Sequence, residues 1–214
     1  MYKYILFDLD GTLIEPKEGI TKCVAYALEK LNIHVNNLDD LTVFIGPPLI
    51  DSFMTYYHLT KEEADQAVKY YRERFKERGV IECELYPHIL DILKEIKKLD
   101  KKIILATSKP EIFARKILER FDISKYFELI VGATLDGSRG EKSGVIEYAL
   151  NEAGVKDLKE AIMVGDRKFD ILGAKKNNID SVGVTYGYAV GSELIESKPT
   201  YLINNITELI KIVK

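Results

Sequence analysis

Five short apolar runs, separated by segments with helical periodicity, constrain the fold of this chain more than any other feature. The runs are continuously apolar and do not alternate with polar residues. Continuous apolar strands that alternate with helices are typical of a parallel sheet covered by helices on both faces. The sequence therefore predicts an α/β fold. The strands are expected at Tyr4 to Phe7, Ile103 to Ala106, Leu129 to Val131, Ile162 to Val164 and Val182 to Val184.

Helical patterning interrupts this alternation directly after the first strand. Apolar residues recur at three- and four-residue spacing across Gly19 to Leu31. Thr60 and Glu63 have the spacing of a capping box, and the helix that they begin is expected to end before Gly79. Phe44 to Leu49 is expected to form a rigid turn between the two helices. We therefore predict an all-helical cap at 15–81, inserted into an α/β core made of 1–14 and 82–214.

Composition excludes several classes of partner. The formal net charge is only −3, so no electrostatic attraction to a nucleic-acid polymer or a membrane surface is expected. No apolar run has the length of a bilayer-spanning helix, and no signal peptide is recognised before the first strand. The two cysteines, Cys23 and Cys83, lack a metal-ligand spacing. We expect a cytoplasmic protein, with a monomer as the first expectation and a dimer as the open alternative.

Two carboxylates stand at the end of the first strand. Asp8 and Asp10 are two residues apart, so their charges would crowd together if both lay at the strand end. A divalent cation would remove that repulsion, and Mg²⁺ prefers oxygen ligands of this kind. Gly11 allows a sharp turn, and Thr12 offers a hydroxyl and an N–H to an anion. These residues taken alone are equally consistent with an ordinary strand end and turn.

Two other segments offer groups suited to a phosphate. Thr107, Ser108 and Lys109 follow the second strand of the predicted sheet. The Thr107 and Ser108 hydroxyls could hold a phosphate oxygen, although a simple helix cap explains the segment when it is considered alone. Lys142 begins a helix, where its charge opposes the helix dipole. An anionic cluster nearby would explain that position, whereas a solvated surface lysine is the default.

Two more carboxylates follow the fourth predicted strand. Asp166 comes directly after Gly165, and Asp170 lies one helical turn further on. Because ligands of parallel α/β sheets bind beyond the carboxyl ends of the strands, Asp166 is placed to bind the metal and Asp170 to support it from an outer shell. Asp166 as a helix cap is the simpler alternative, and it explains one carboxylate but not the whole set.

Together these motifs resemble those of the haloacid-dehalogenase-like hydrolases. Asp8-x-Asp10-Gly-Thr, Thr107, Lys142 and Gly165-Asp166-x3-Asp170 occur in the family's order over essentially the whole chain. The resemblance implies a Rossmann-like core with a helical cap of the first type. Segments 44–49 and 132–142 look closest to the bacterial 5'-nucleotidase-like branch, and phosphoglycolate phosphatases are similar as well.

The resemblance also implies a chemistry. Asp8 would attack phosphorus and form an aspartyl-phosphate, while Asp10 would serve as general acid and then as general base. Mg²⁺ would be held by Asp8, by Asp10 through its backbone carbonyl, and by Asp166, with Asp170 in the outer shell. Thr107 and Lys142 would clamp the phosphate oxygens. The further contacts expected with phosphate or substrate are Gly11, Thr12, Gly46, Ser108 and Lys109.

The substrate implied by the resemblance is a small phosphorylated metabolite, such as a 5'-nucleoside monophosphate, with phosphoglycolate as the alternative. A beta-phosphoglucomutase-like phosphotransferase shares the same core residues and stays open. A non-catalytic phosphate-sensing module also gathers acids, a threonine and a lysine around Mg²⁺ on a parallel sheet. The early position of Asp8, the acid at Asp10 and the inserted cap argue against that module.

Overall fold

The computed structural model describes all 214 residues, and the chain divides into two compact units. The first unit combines Met1–Glu15 with Leu85–Lys214, and the second is Pro16–Glu84. The predicted cap at 15–81 begins one residue earlier and ends three residues earlier than this second unit. None of the helices has both the length and the apolar character needed to cross a bilayer.

The first unit is built on a six-stranded parallel sheet with the order β5-β4-β1-β6-β7-β8. The two short strands β2 and β3 pair separately from it. In chain order the strands are β1 (Tyr4–Phe7), β2 (Ile14–Glu15), β3 (Glu84–Leu85), β4 (Lys102–Pro110), β5 (Phe127–Ala133), β6 (Ala161–Gly165), β7 (Asp180–Val184) and β8 (Tyr201–Ile203). The predicted α/β class is therefore confirmed. The strand β8, which has three residues and lies at the sheet edge, was not predicted.

Helices flank the sheet in the first unit and form most of the second. Those of the second unit are α1 (Lys17–Glu29), α2 (Leu49–Tyr57) and α3 (Lys61–Arg74). Those of the first unit are α4 (Ile89–Lys98), α5 (Glu111–Arg120), α6 (Lys142–Glu152), α7 (Lys168–Lys176), α8 (Glu193–Glu196) and α9 (Leu209–Val213). Shorter segments of 3₁₀ or π helix lie at Leu38–Phe44, Phe75–Gly79, Ser124–Tyr126, Leu158–Glu160 and Ile206–Glu208.

Apolar packing on the central strands makes the sheet a rigid support for the groups at its ends. Leu6 on β1, Ile104 on β4 and Met163 on β6 are at most 1% exposed. They belong to one apolar cluster with Val145 and Ile146 of α6. Burying such side chains stabilises each by about 1.5–3 kcal/mol relative to exposure. The cluster therefore holds the carboxyl ends of β1, β4 and β6 and the start of α6 in a defined arrangement.

The second unit departs from the sequence analysis at one helix. Residues 44–49 are predicted to form a rigid turn, and only the last of them lies in an α-helix; the helix that was not predicted is α2, which begins at Leu49 directly after Pro48. This helix is short and rich in β-branched and aromatic residues such as Ile50 and Phe53, which have weak helix propensity. Its burial of Ser52 and Phe53 shows that packing, rather than local preference, stabilises it.

The predicted capping box at the start of α3 is confirmed. The Glu63 N–H donates to the Thr60 hydroxyl at 3.2 Å, and the Thr60 N–H donates to the Glu63 carboxylate at 2.8 Å. Thr60→Ala leaves one of these donors without its partner, so we expect the free energy of unfolding to fall by about 1 kcal/mol. Urea denaturation followed by circular dichroism measures it. Thr55→Ala, at an exposed position of α2, is the matched control, and an equal loss there would contradict the assignment.

Candidate active site

The turn after β1 carries the chain out of the sheet. The Asp8 N–H donates to the Val164 carbonyl at 2.9 Å, which extends the pairing of β1 with β6 by one residue. The Leu9 carbonyl then accepts from three N–H groups of residues 12–14. Gly11 adopts a φ of +78°, which favours glycine. Asp8 therefore lies at the carboxyl end of a central strand, where parallel sheets bind ligands.

Three carboxylates meet beside this turn. Asp8, Asp166 and Asp170 have ligand oxygens that all lie within 4.8 Å of one another. They are 6%, 0% and 0% exposed. Asp166 follows β6, and Asp170 lies in the first turn of α7, where it accepts the Arg167 N–H at 3.1 Å. The capping role that the simpler alternative gave to Asp166 is thus carried out by Asp170.

Crowding and burial make the charged form of this cluster costly. Burial, with the neighbouring charges of Asp170 and Asp8, raises the pKa of Asp166 well above its ordinary value. Burial likewise raises the pKa of Asp170 to about 6, although Lys142 opposes that shift. Positive charge nearby therefore favours the ionised forms of Asp166 and Asp170.

Lys142 supplies part of that charge. Its Nζ lies 2.6 Å from Asp8 Oδ1 and 2.8 Å from Asp170 Oδ1, and it donates to the Ala106 carbonyl at 3.3 Å. Burial lowers the pKa of Lys142, but the two carboxylates outweigh that effect and the pKa is raised overall. Lys142 is 6% exposed, so the solvated surface lysine of the simpler alternative does not describe it.

One ammonium does not satisfy the cluster. Asp8 Oδ1 and Asp170 Oδ1 are both buried, and both depend on the same Lys142 ammonium for their ion pairs. Three carboxylates with unfilled oxygen lone pairs fit a hard divalent cation such as Mg²⁺. Of the predicted metal set of Asp8, Asp10, Asp166 and the outer-shell Asp170, the cluster brings together Asp8, Asp166 and Asp170, and the metal site stays a prediction.

The Asp10 carboxylate is paired with a different lysine, Lys109. Lys109 Nζ donates to the two Asp10 carboxylate oxygens at 3.0 and 2.7 Å, and the side chains are 5% and 13% exposed. Burial raises the pKa of Asp10, and the Lys109 charge opposes that shift. Lys109 was expected to contact phosphate, whereas here its ammonium is paired with the Asp10 carboxylate. No local pattern in the sequence predicts this pairing, because the two residues are 99 positions apart.

The hydroxyl groups expected near phosphate lie in two segments, the turn after β1 and the last residues of β4. Thr107 is buried where the pairing of β4 with β5 becomes irregular, and its Oγ1 accepts the Lys109 N–H at 3.2 Å. Ser108, next to it, is half-buried. Thr12 is fully buried, and its hydroxyl lies 3.4 Å from Asp166 Oδ1. Gly46, the remaining predicted contact, belongs to the second unit and has a φ of +106°.

The loop after β7 was missed as part of the site. The Tyr188 N–H donates to Asp166 Oδ2 at 2.6 Å. Gly187 passes so close that a Cβ there would lie 2.3 Å from the same oxygen. The detectable signal was Gly187, three residues after the end of β7, because a backbone that passes close to a neighbouring group leaves no room for a side chain. Because every residue except proline has a backbone N–H, the hydrogen bond from Tyr188 to Asp166 cannot be predicted from residue types.

The fold is that of an α/β protein with a buried acidic cluster at the carboxyl edge of its parallel sheet. The chain belongs to the haloacid dehalogenase-like hydrolase family, which matches residues 5–184. A solved structure from Clostridium acetobutylicum, described as a predicted phosphatase, is 45% identical with a TM-score of 0.95 and covers 100% of this chain and 98% of its own. The family and fold predicted from the sequence are confirmed.

The curated relatives include proteins named as a 5'-nucleotidase, a phosphoglycolate phosphatase and a tyrosine-protein kinase. A 5'-nucleotidase of Pseudomonas aeruginosa is 39% identical over 97% of this chain and 94% of its own length. A phosphoglycolate phosphatase of Colwellia psychrerythraea is 29% identical over 96% and 94%. The tyrosine-protein kinase PtkA of Mycobacterium tuberculosis is 35% identical over 94% of this chain and 68% of its own length. The chain is thus an enzyme of the phosphatase family.

Proposed function

We propose that this protein is a Mg²⁺-dependent phosphomonoester hydrolase that acts through an aspartyl-phosphate on a small metabolite such as a 5'-nucleoside monophosphate. The observation that supports this most directly is the buried cluster of Asp8, Asp166 and Asp170, in which three carboxylates share the single ammonium of Lys142. Asp10, two residues from Asp8, has a separate partner and is available for proton transfer.

In the first step, an Asp8 carboxylate oxygen forms a bond to phosphorus as the bond from phosphorus to the ester oxygen breaks. Asp10 donates a proton to the departing oxygen, which leaves as an alcohol. In the second step, Asp10 accepts a proton from water, whose oxygen bonds to phosphorus as the Asp8 acyl-phosphate bond breaks. The products are inorganic phosphate and the original Asp8 carboxylate.

The surrounding residues stabilise charge during both steps. Lys142 lies against Asp8, so its ammonium offsets negative charge on the nucleophile and on the phosphoryl oxygens. The Thr107 hydroxyl would donate to a phosphoryl oxygen, as the resemblance implies. Asp8 and Asp166 would hold Mg²⁺, with Asp170 in the outer shell and the Asp10 carbonyl as a further ligand. When bound, Mg²⁺ would neutralise the charge that the carboxylates and the phosphate bring together.

Lys109 is a positioning residue in this proposal, because it holds the Asp10 carboxylate through both oxygens. Lys109→Met should lower kcat about tenfold to a hundredfold while leaving KM nearly unchanged, since general acid–base catalysis depends on orientation. Steady-state kinetics on an aryl phosphate measures kcat and KM separately. Lys109→Arg should recover part of kcat. Lys98→Met, which breaks the exposed 2.6 Å ion pair with Glu95, is the matched control. A change confined to KM would assign Lys109 to substrate binding instead.

The relative named 5'-nucleotidase supports the choice of a nucleotide substrate. The relative named phosphoglycolate phosphatase supports phosphoglycolate as the alternative. A panel of 5'-nucleoside monophosphates, phosphoglycolate, hexose phosphates and a phosphotyrosine peptide, with and without Mg²⁺, tests both. We expect phosphate release that requires Mg²⁺ and is fastest with a nucleotide. Selective phosphoglycolate cleavage would favour the alternative. Sugar-phosphate interconversion with a bisphosphate primer would favour a mutase, and no turnover with any ester would favour a sensing module.

A further inference from the structure

A carboxylate at the end of β2 binds two tyrosines that the mechanism does not use. Glu15 accepts hydrogen bonds from the hydroxyl of Tyr188 through one oxygen and from that of Tyr86 through the other, the latter at 3.1 Å. Burial, with the hydrogen bond to Glu15, raises the pKa of the Tyr188 hydroxyl, so it remains protonated and donates. We call Glu15, Tyr86 and Tyr188 the tyrosine clamp.

Tyr188 connects the tyrosine clamp to the acidic cluster, because it is held at both ends. Its hydroxyl is bound to Glu15, while its backbone N–H donates to Asp166 Oδ2 at 2.6 Å. Asp166 is fully buried, and the only other hydrogen bond that its carboxylate accepts is the long 3.4 Å contact from Thr12. The backbone N–H of Tyr188 is therefore the principal group that orients this carboxylate.

The rest of the loop keeps that N–H in place. The Tyr186 hydroxyl donates to the Thr12 carbonyl at 2.8 Å, and the Tyr186 ring packs on Tyr86 with centroids 4.9 Å apart. Further along, Glu193 forms a 2.5 Å ion pair with Arg167, the neighbour of Asp166. Both ends of the 186–193 segment are thus tied to the strand ends that carry the site.

We infer that the tyrosine clamp is a positioning device for the metal: by holding the loop after β7 through Glu15, it orients the Asp166 carboxylate toward the cation. This inference rests on the proposed Mg²⁺ site. Partners that orient a metal ligand typically contribute about 10- to 100-fold to metal affinity. None of the three side chains of the clamp takes part in bond making or proton transfer.

The test measures Mg²⁺ affinity directly, by isothermal titration calorimetry on the full chain without substrate. Tyr188→Phe removes only the hydroxyl and leaves the backbone donor, and it should raise the Mg²⁺ dissociation constant about tenfold. Tyr26→Phe is the matched control, because Tyr26 makes a similar 2.7 Å hydrogen bond to Glu73 in the second unit. Its dissociation constant should equal that of the wild type.

A double-mutant cycle with Glu15→Gln separates the tyrosine clamp from general loosening. If the clamp acts as one unit, Tyr188→Phe combined with Glu15→Gln weakens Mg²⁺ binding no more than the stronger single change. Wild-type affinity in Tyr188→Phe overturns this inference alone. No Mg²⁺ binding by the wild type overturns the proposed function together with it. If Tyr188→Phe does not fold, as judged by circular dichroism, Tyr86→Phe carries the same test at the other Glu15 oxygen.

Discussion

Asp8→Asn is expected to abolish turnover, with a loss of more than about 10⁴-fold in kcat, which corresponds to more than about 5 kcal/mol of transition-state stabilisation. The physical reason is that the amide has no anionic oxygen with which to form a bond to phosphorus. Steady-state release of phosphate from an aryl phosphate measures the loss. Incubation with a substrate labelled on its phosphoryl group, followed by an acid quench, should leave label on the wild-type chain as an aspartyl-phosphate. The variant should carry no label.

Thr107→Ala provides the comparison for this result. It removes one neutral donor expected near the phosphate, so we expect kcat to fall only about a hundredfold. The variant should still become labelled by substrate, because Asp8 is intact. Equal residual activity in Asp8→Asn and Thr107→Ala would show that the nucleophile has been assigned to the wrong residue.

Lys142→Met should have the largest effect on stability. The ammonium lies 2.6 Å from Asp8 and 2.8 Å from Asp170, and all three groups are buried. Removing one partner of a buried ion pair leaves uncompensated charge, so the free energy of unfolding should fall by about 3–5 kcal/mol. Urea denaturation in the absence of Mg²⁺ measures the change. Turnover should also fall, because Lys142 offsets charge on the nucleophile.

Two further variants identify the origin of that loss. Lys176→Met removes a lysine with a 67% exposed side chain that pairs with Glu141, so it should change stability by less than about 1 kcal/mol. Adding Asp170→Asn to Lys142→Met removes one of the two carboxylates that lost their ion-pair partner, so part of the free energy of unfolding should be restored. If the double variant is less stable than Lys142→Met, side-chain packing rather than charge explains the effect.

The sheet could be predicted because its signal is local. Continuous apolar runs identified the five strands β1, β4, β5, β6 and β7, although β4 extends to Pro110 and so includes Thr107 and Lys109. Short elements were missed, namely α2 with its weak helix propensity, the short helices α8 and α9, and the strands β2, β3 and β8 of two or three residues. A short element carries too little periodicity to stand out from its neighbours.

The candidate site divides in the same way. Asp8, Asp166, Asp170 and Lys142 were predicted to share one pocket because each follows a strand end or begins a helix, and parallel strands bring their carboxyl ends to one edge. The roles assigned to these residues remain predictions. Local patterning was thus sufficient for the class of fold and for the acidic cluster. The pairing of Asp10 with Lys109 and the Tyr188 N–H on Asp166 emerged only from the folded chain, because they depend on where loop backbones pass and on contacts between residues far apart in sequence.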